Sequence, residues 1–169
     1  MTEILKGIIE EYAKNQVKID INLSLGNCLE KFKKAFNEEI RTKVKNDTAA
    51  YLFRTDNDKL HDILYIGMAG KIDRKGSLKA HRVGNRLKAS RGRNRLGDEI
   101  QTNEFFYHLL TDPNQLNMKK YTHVTKPFQK IVIHVMYCKE GVPASYFESI
   151  LLYEYFNENK ALPLLNVSF

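Results

Sequence analysis

The chain has few of the residues that mark secreted, metal-bound or disulfide-stapled proteins. Its 169 residues include two cysteines, four prolines and no tryptophan. Cys28 and Cys138 are far apart in sequence, with no CxxC motif or Cys/His cluster near either. This spacing argues against a zinc site and a disulfide framework, so both cysteines are predicted to be reduced packing residues in a cytoplasmic protein.

Long apolar runs are also missing. None approaches the roughly 20 residues that a membrane-spanning helix needs, so no membrane association is predicted. The first residues, MTEILKGIIEEYAK, contain early acids and apolar residues at helical spacing, unlike a signal peptide. Length and a hydrophobic content of 43% indicate a folded globular protein with a core of its own.

Positive charge is abundant and concentrated. The formal net charge is +7. Residues 71–95 hold ten Lys or Arg against the single acid Asp73, a net of +9, so the rest of the chain is slightly acidic. We call residues 71–95 the basic segment. Such a concentration predicts a partner that carries phosphates or another anionic surface.

The first 47 residues are predicted to form a helical extension packed on the core. Ile4, Leu5, Ile8, Ile9 and Tyr12 fall on one face of a helix. A second amphipathic helix is predicted from about Cys28 to the region of residues 45–47. No Pro/Gly/Ser linker separates this extension from residues 48–169, the predicted core.

Three strands are predicted in the core. AAYLFRT and DILYIGMA flank the turn-rich TDNDKLH and indicate a β-hairpin. If the hairpin folds about Asp58, Tyr51 pairs with Tyr65 and both rings lie on one face. The third strand, Lys130–Cys138, has the near-continuous β-branched run of a central position.

Further elements are predicted between and after these strands. A basic helix is predicted over Ser77–Lys88, and an insertion around residues 89–128 contains loops and one short buried helix. A final helix is predicted over Ser145–Asn159, with Ser145 as its cap.

Glu148 is the one carboxylate that this final helix places on an apolar stripe, with Leu151, Leu152 and Tyr155. An inward carboxylate is costly unless a cation, metal or helix N-terminus compensates it. Two interpretations remain open at this point. Glu148 either completes a capping box with Ser145 or binds a metal.

The order of these pieces resembles the GIY-YIG nuclease family. The resemblance rests on AYLF, LYIG, the arginine of NRLKAS, a third strand, the helix FESILLYEYF and the closing LPLLN. It covers about Ala49–Asn166. It implies an α+β domain in which a small three-stranded antiparallel sheet is flanked by helices, and which hydrolyses phosphodiester bonds with one Mg²⁺ or Mn²⁺ per active site.

The family's site residues transfer to matching positions. Tyr51 and Tyr65 take the places of the two motif tyrosines, and Gly67 closes the second motif. Arg86 matches the family arginine, although Arg82 lies one turn earlier. Glu148 matches the metal-binding glutamate. Completing the set are the terminal Asn166, a lysine at Lys75 or Lys71, and His81 in place of a family histidine.

This chemistry would explain two tyrosines beside a basic segment. A phenol with a pKa near 10 is a poor base at neutral pH, and neighbouring cations or a metal favour the phenolate. Tyr51 is the first choice as base, with Tyr65 sharing or positioning. Arg86 would clamp a phosphate oxygen. The DNA backbone would be bound by Lys71, Lys79, Arg82, Lys88, Arg91, Arg93 and Arg95.

The predicted function is a Mg²⁺-dependent endonuclease of double-stranded DNA, of the sequence-specific type II restriction kind, acting as a homodimer. A phage, mobile-element or repair nuclease of the same family is the nearest alternative. A non-catalytic nucleic-acid-binding module is the alternative from another class.

Overall fold

A computed structural model describes residues 3–22, 38–45, 47–56, 62–72, 78–79, 130–163 and 166 of the chain. These residues form one four-stranded antiparallel sheet, a separate two-stranded ribbon, and helices. The predicted α+β class is confirmed, whereas the main sheet has four strands instead of the predicted three. No helix in the described ranges is long and apolar enough to cross a membrane.

The described elements follow one another along the chain in a mixed order of helices and strands. They are helix α1 (Glu3–Tyr12), strands β1 (Ala13–Asn22), β2 (Ala49–Thr55), β3 (Ile63–Ala69), β4 (Lys71–Ile72), β5 (Leu78–Lys79) and β6 (Lys130–Cys138), and helix α2 (Ala144–Asn159). Residues 38–43 are also helical. The main sheet has the order β1-β6-β2-β3, so β6 is central, as its apolar sequence predicted.

The fourth strand, β1, comes from the segment predicted to be purely helical, and that prediction is wrong here. Its sequence alternates: Lys18 and Asp20 are exposed, whereas Ile19 between them is fully buried. β1 pairs with β6 from Asn15 opposite Tyr137 to Asn22 opposite Lys130. The N-terminal residues therefore contribute to the sheet itself, and a domain boundary near residue 47 stays a prediction.

The predicted pairing of the hairpin β2–β3 is also wrong, by two residues. Tyr51 lies opposite Gly67, and Phe53 lies opposite Tyr65. The register shifts by one residue between Phe53 and Arg54, and no local sequence pattern predicts such a shift. Because side chains alternate with a period of two, a shift of two residues leaves both tyrosines on the same face of the sheet.

The sheet has two faces with different contents. We call the face bearing Tyr51, Phe53, Tyr65 and Gly67 the tyrosine face, and the opposite one the helix face. On the helix face, α1 and α2 pack against the sheet through a continuous apolar cluster. Its members include Leu5, Ile9, Ala50, Leu52, Ile66, Met136, Phe147, Leu151 and Tyr155.

Helix α2 begins one residue earlier than predicted. Its N-cap is Pro143, and no side chain caps it. Ser145 instead lies inside the first turn, where its carbonyl oxygen accepts a bond from Ser149 Oγ at 2.8 Å. The capping-box interpretation of Ser145 and Glu148 is therefore wrong. At the other end, Lys160 adopts a left-handed conformation (φ 54°) and donates its N–H to the Phe156 carbonyl.

The basic helix predicted from Ser77 is wrong at its start, because Leu78 and Lys79 form β5 and pair with β4. The rest of that helix, and the insertion around residues 89–128, lie outside the described residues. So does most of the second N-terminal helix. Within its described part, Ile40 is fully buried, and the Lys45 N–H donates to the Tyr137 hydroxyl at 2.8 Å.

Candidate active site at the tyrosine pair

Tyr51 and Tyr65 form a stacked pair on the tyrosine face. Their ring centroids are 6.2 Å apart and their planes differ by 29°. Phe53 meets both rings edge-on, with centroids 6.3 Å from Tyr51 and 6.2 Å from Tyr65. Side chains alternate along a strand, so residues 51 and 53 share a face. Phe53 was nevertheless not among the predicted site residues. The two phenols are thus held in one aromatic cluster.

Gly67 is the residue that lets the two rings come together. A Cβ atom at this position would lie 2.5 Å from Tyr65 Cε1 and 3.1 Å from Tyr51 Cε2. Both distances are shorter than ordinary van der Waals contact, so any side chain would displace at least one ring. The glycine of the YIG motif therefore has a steric reason here that needs no unusual backbone angle.

The two phenols differ in exposure. Tyr51 is 1% exposed, whereas Tyr65 is half-buried. A buried phenol is shielded from bulk water and needs a polar partner for its hydroxyl. Of the two side chains, that of Tyr65 is the more exposed to solvent.

Asn166 lies at the outer edge of β3, directly beside the tyrosine motif. Its Nδ2 donates to the Ile66 carbonyl at 2.8 Å, and its Oδ1 accepts the Ile66 N–H at 2.9 Å. Ile66 stands between Tyr65 and Gly67 in the chain. The amide thereby pairs with the strand as a further strand would. Asn166 thus lies beside the motif that contains Tyr65 and Gly67, and its two bonds hold the edge of β3.

Glu148 is half-buried on α2, beside the buried Leu152 and Tyr155. The predicted stripe of Leu151, Leu152 and Tyr155 is buried as expected, whereas Glu148, predicted to lie on it, is only half-buried. Since α2 packs on the helix face, Glu148 and the phenols belong to opposite sides of the sheet. The structure therefore does not bring Glu148 and the two phenols together on one face of the sheet.

Most of the predicted cationic groups lie outside the described residues. These are Lys75, His81, Arg82, Arg86, Lys88, Arg91, Arg93 and Arg95. The backbone of Lys71 and Lys79 is described: the two positions lie opposite each other in β4 and β5. Lys71 follows β3 through Gly70 alone, so the basic segment begins at the end of the strand that carries Tyr65.

A magnesium site is compatible with the residues present but is not assembled by them alone. In the described ranges, no group of three or more His, Cys, Asp or Glu side chains could hold a metal ion. Mg²⁺ is commonly held by one or two carboxylates and several waters, a demand that the single half-buried Glu148 carboxylate can meet.

Two buried groups of β6, His134 and Cys138, lie on the helix face, opposite the phenols. His134 is fully buried in β6 on the helix face, where its Nε2–H donates to Gln16 Oε1. Burial, aided by the charges of Lys18 and Arg54, lowers the pKa of His134 to about 4. Burial raises the pKa of the free Cys138 thiol to about 11, consistent with an unreactive packing residue.

Comparisons with known proteins gave no match: no family model, no curated protein and no solved structure is similar to this chain.

Proposed function

We propose that the protein is a Mg²⁺-dependent DNA endonuclease of the GIY-YIG type. The observation that carries the proposal is the stacked pair of Tyr51 and Tyr65 over Gly67. Tyr65 and Gly67 belong to β3, the strand that leads directly into the basic segment. Of the motif residues that the resemblance names, Tyr51, Tyr65 and Gly67 lie together, and the glycine has a packing reason. Two phenols in contact are more than strand propensity requires.

Tyr65 acts as the general base in this proposal, with Tyr51 as its positioning partner. The sequence alone favoured Tyr51, but Tyr65 is partly exposed to solvent, whereas Tyr51 is buried. Cations of the basic segment would favour the phenolate and so lower the phenol pKa toward neutrality. A proton would pass from the attacking water to the Tyr65 oxygen.

The other roles follow the family assignment. The Glu148 carboxylate would hold Mg²⁺, which when bound supplies positive charge to the phosphate. Arg86 would bind a non-bridging phosphate oxygen with its planar guanidinium. Lys75 or Lys71 and His81 would line the same hollow, and the remaining basic residues would bind the duplex backbone. All these groups are proposed to meet around the outer edge of β3.

We further propose that the enzyme is a sequence-specific restriction endonuclease that acts as a homodimer on a palindromic site, because a two-fold protein matches a two-fold sequence. A phage, mobile-element or repair nuclease of the same type is the alternative.

A test for cleavage uses supercoiled plasmid, the purified protein and Mg²⁺, with EDTA as the metal control. We expect discrete linear products from the unmodified protein and their loss in Glu148→Gln and Arg86→Ala. The matched control is Glu158→Gln, an exposed carboxylate on the same helix, which should cut normally. Sequencing the product ends gives the recognition site and the cut position.

A non-catalytic nucleic-acid-binding module is the second candidate, and the burial of Tyr51 favours it, because a site residue screened from solvent suits a packing role. This candidate predicts that the plasmid is retarded in a gel and never nicked, with or without Mg²⁺. The cleavage test therefore separates the two functions.

A further inference from the structure

The two outer edges of the four-stranded sheet are treated differently. At the β3 edge, the outward N–H and C=O of Ile66 are both bonded to the Asn166 side chain. At the other edge, β1 presents ten residues without a proline. An edge strand with outward backbone groups is a template for pairing with another strand. What occupies the β1 edge is thus a separate question from the nuclease proposal.

The alternation of backbone hydrogen bonds along β6 shows which N–H and C=O groups of β1 point away from the sheet. The Cys138 N–H donates to the Thr48 carbonyl at 3.0 Å, so the backbone groups of Cys138 point away from β1. Those of Tyr137, Val135 and Ile133 then point toward β1, where their partners are Asn15, Val17 and Ile19. In the intervening positions, Gln16, Lys18 and Asp20 direct their N–H and C=O groups away from the sheet.

These outward positions are open within the described part of the chain. The side chains of Gln16, Lys18 and Asp20 are exposed. In the described ranges, β6 is the strand that β1 pairs with, and no backbone hydrogen bond from another segment reaches residues 16–20. The register between β1 and β6 runs without interruption from residue 15 to residue 22, so the edge is regular enough to accept another strand.

We propose that the β1 edge is a homodimer interface, in which β1 of a second copy pairs antiparallel with it about a two-fold axis through Ile19. In this register Lys18 lies opposite Asp20 of the second copy, and Asp20 lies opposite its Lys18. Both are outward-facing positions, as a hydrogen-bonded pair requires. Opposite charges directly across a strand pair are favourable, and they occur twice.

Charge selects this register over its neighbours. If one β1 strand is shifted by two residues along the other, Lys18 lies opposite Lys18 of the second copy. A shift of two residues in the other direction places Asp20 opposite Asp20 of the second copy, and both arrangements bring like charges together. A longer slide would pair Asp20 with Lys14, which lies at the irregular end of the strand. Asp20 itself forms an exposed ion pair with Lys130 through one carboxylate oxygen, Oδ2, at 3.6 Å, and its second oxygen can accept from a lysine of the second copy. The alternating charges of β1 therefore complement a second β1 and specify one alignment.

The result is a continuous eight-stranded sheet. A two-fold axis between antiparallel strands is perpendicular to the sheet, so the tyrosine faces of both copies lie on the same side. A strand-pair interface is small, and we expect a dissociation constant on the order of micromolar. The dimer does not depend on the nuclease proposal, because its mass is measured without DNA or metal.

The test is a charge swap followed by analytical ultracentrifugation over a range of concentrations. We expect a species of twice the 19.7 kDa chain mass for the unmodified protein. Lys18→Asp and Asp20→Lys should each raise the dissociation constant by on the order of tenfold or more, since each replaces two attractive pairs by two repulsive ones. The combined Lys18→Asp/Asp20→Lys protein should regain the dimer.

Two further variants keep the result interpretable. Lys43→Asp reverses an exposed charge on the helical segment 38–43 and should leave the dimer intact. Lys18→Pro removes an outward N–H, which an edge strand tolerates, and should give a folded monomer by circular dichroism. The proposal is overturned if the unmodified protein is a monomer at every concentration, or if its dimer is weakened by neither single charge reversal. It is also overturned if Lys43→Asp is a monomer, or if the single variants are folded monomers and the combined Lys18→Asp/Asp20→Lys protein does not regain the dimer.

Discussion

The two faces of the sheet are both buried, but they are built differently. On the helix face, helices α1 and α2 contribute aliphatic side chains, Phe147 and the buried phenol of Tyr155. The tyrosine face also contains the buried aliphatic residues Ile133 and Val135, and in addition it holds two stacked phenols and Phe53 over a glycine. The two faces therefore differ in arrangement: two helices pack on the helix face, whereas the tyrosine face holds a pair of phenols whose close approach depends on Gly67.

The largest expected effect is on the helix face. Phe147 is fully buried in the apolar cluster, and Phe147→Ala should lower the free energy of unfolding by about 3–5 kcal/mol. Tyr153, 59% exposed on the same helix, is the control, and Tyr153→Ala should change stability by less than about 0.5 kcal/mol. Urea unfolding measures both. Equal losses would contradict the assignment of the core to this face.

His134 should make stability depend on pH. Its folded pKa of about 4 lies below the ordinary value of 6.5, so the unfolded chain binds the proton more readily. Stability contributed by the neutral imidazole is full above pH 6.5 and is lost progressively as the pH falls toward 4, by on the order of 3 kcal/mol. His134→Phe should flatten the curve of unfolding free energy against pH within this window. A curve of unchanged slope would exclude His134 as the cause.

Gly67 tests the tyrosine face directly. Gly67→Ala should cost about 1–3 kcal/mol and move the rings of Tyr65 and Tyr51, because the added methyl group overlaps them. The matched control is Gly7→Ala: an added Cβ at Gly7 meets nothing within 4 Å, so this change in α1 should stabilise by roughly 0.5–1 kcal/mol. Aromatic NMR shifts of the two tyrosines report the ring movement, and unchanged shifts would refute the steric role.

Asn166 should have the smallest effect on stability, confined to the edge of β3. Asn166→Ala removes two hydrogen bonds to Ile66 and should cost about 1–2 kcal/mol. Amide hydrogen exchange should become faster at Ile66 and stay unchanged at the central strand β6. Asn159→Ala, which loses a single bond to the Tyr155 carbonyl, is the control. Unaltered protection of Ile66 would show that the edge does not need this side chain.

Where local pattern carries the signal, the sequence predicts the fold well. Apolar runs of strand length predicted β2, β3 and β6, and helical spacing predicted α1 and α2. Strand β1 was missed because Val17 and Ile19 alternate with Lys18 and Asp20 next to a strong helical pattern. The hairpin pairing was missed in part because the register shifts by one residue between Phe53 and Arg54, which accounts for one of the two residues of difference.

The candidate site could likewise be predicted only in part. The two-residue alternation of side chains along a strand was enough to place Tyr51 and Tyr65 on one face. No local pattern could reveal that Asn166 bonds Ile66, 100 residues away in the chain. The steric demand on Gly67 also arises only once the rings are packed, and the exposure that favours Tyr65 over Tyr51 depends on tertiary contacts. These features arise from packing between segments that are distant in the chain, and residue propensities and local sequence spacing carry no information about such packing.

The most direct measurement of the central claim is the rate of Mg²⁺-dependent plasmid cleavage by Tyr65→Phe, beside Tyr153→Phe as an exposed tyrosine control. Removing the hydroxyl of a general base should slow cleavage by roughly 10²–10⁴-fold, with stability and DNA affinity retained. Tyr153→Phe should cut at the normal rate. Full activity in Tyr65→Phe, or DNA binding without cleavage by the unmodified protein, would contradict an active centre at the tyrosine pair.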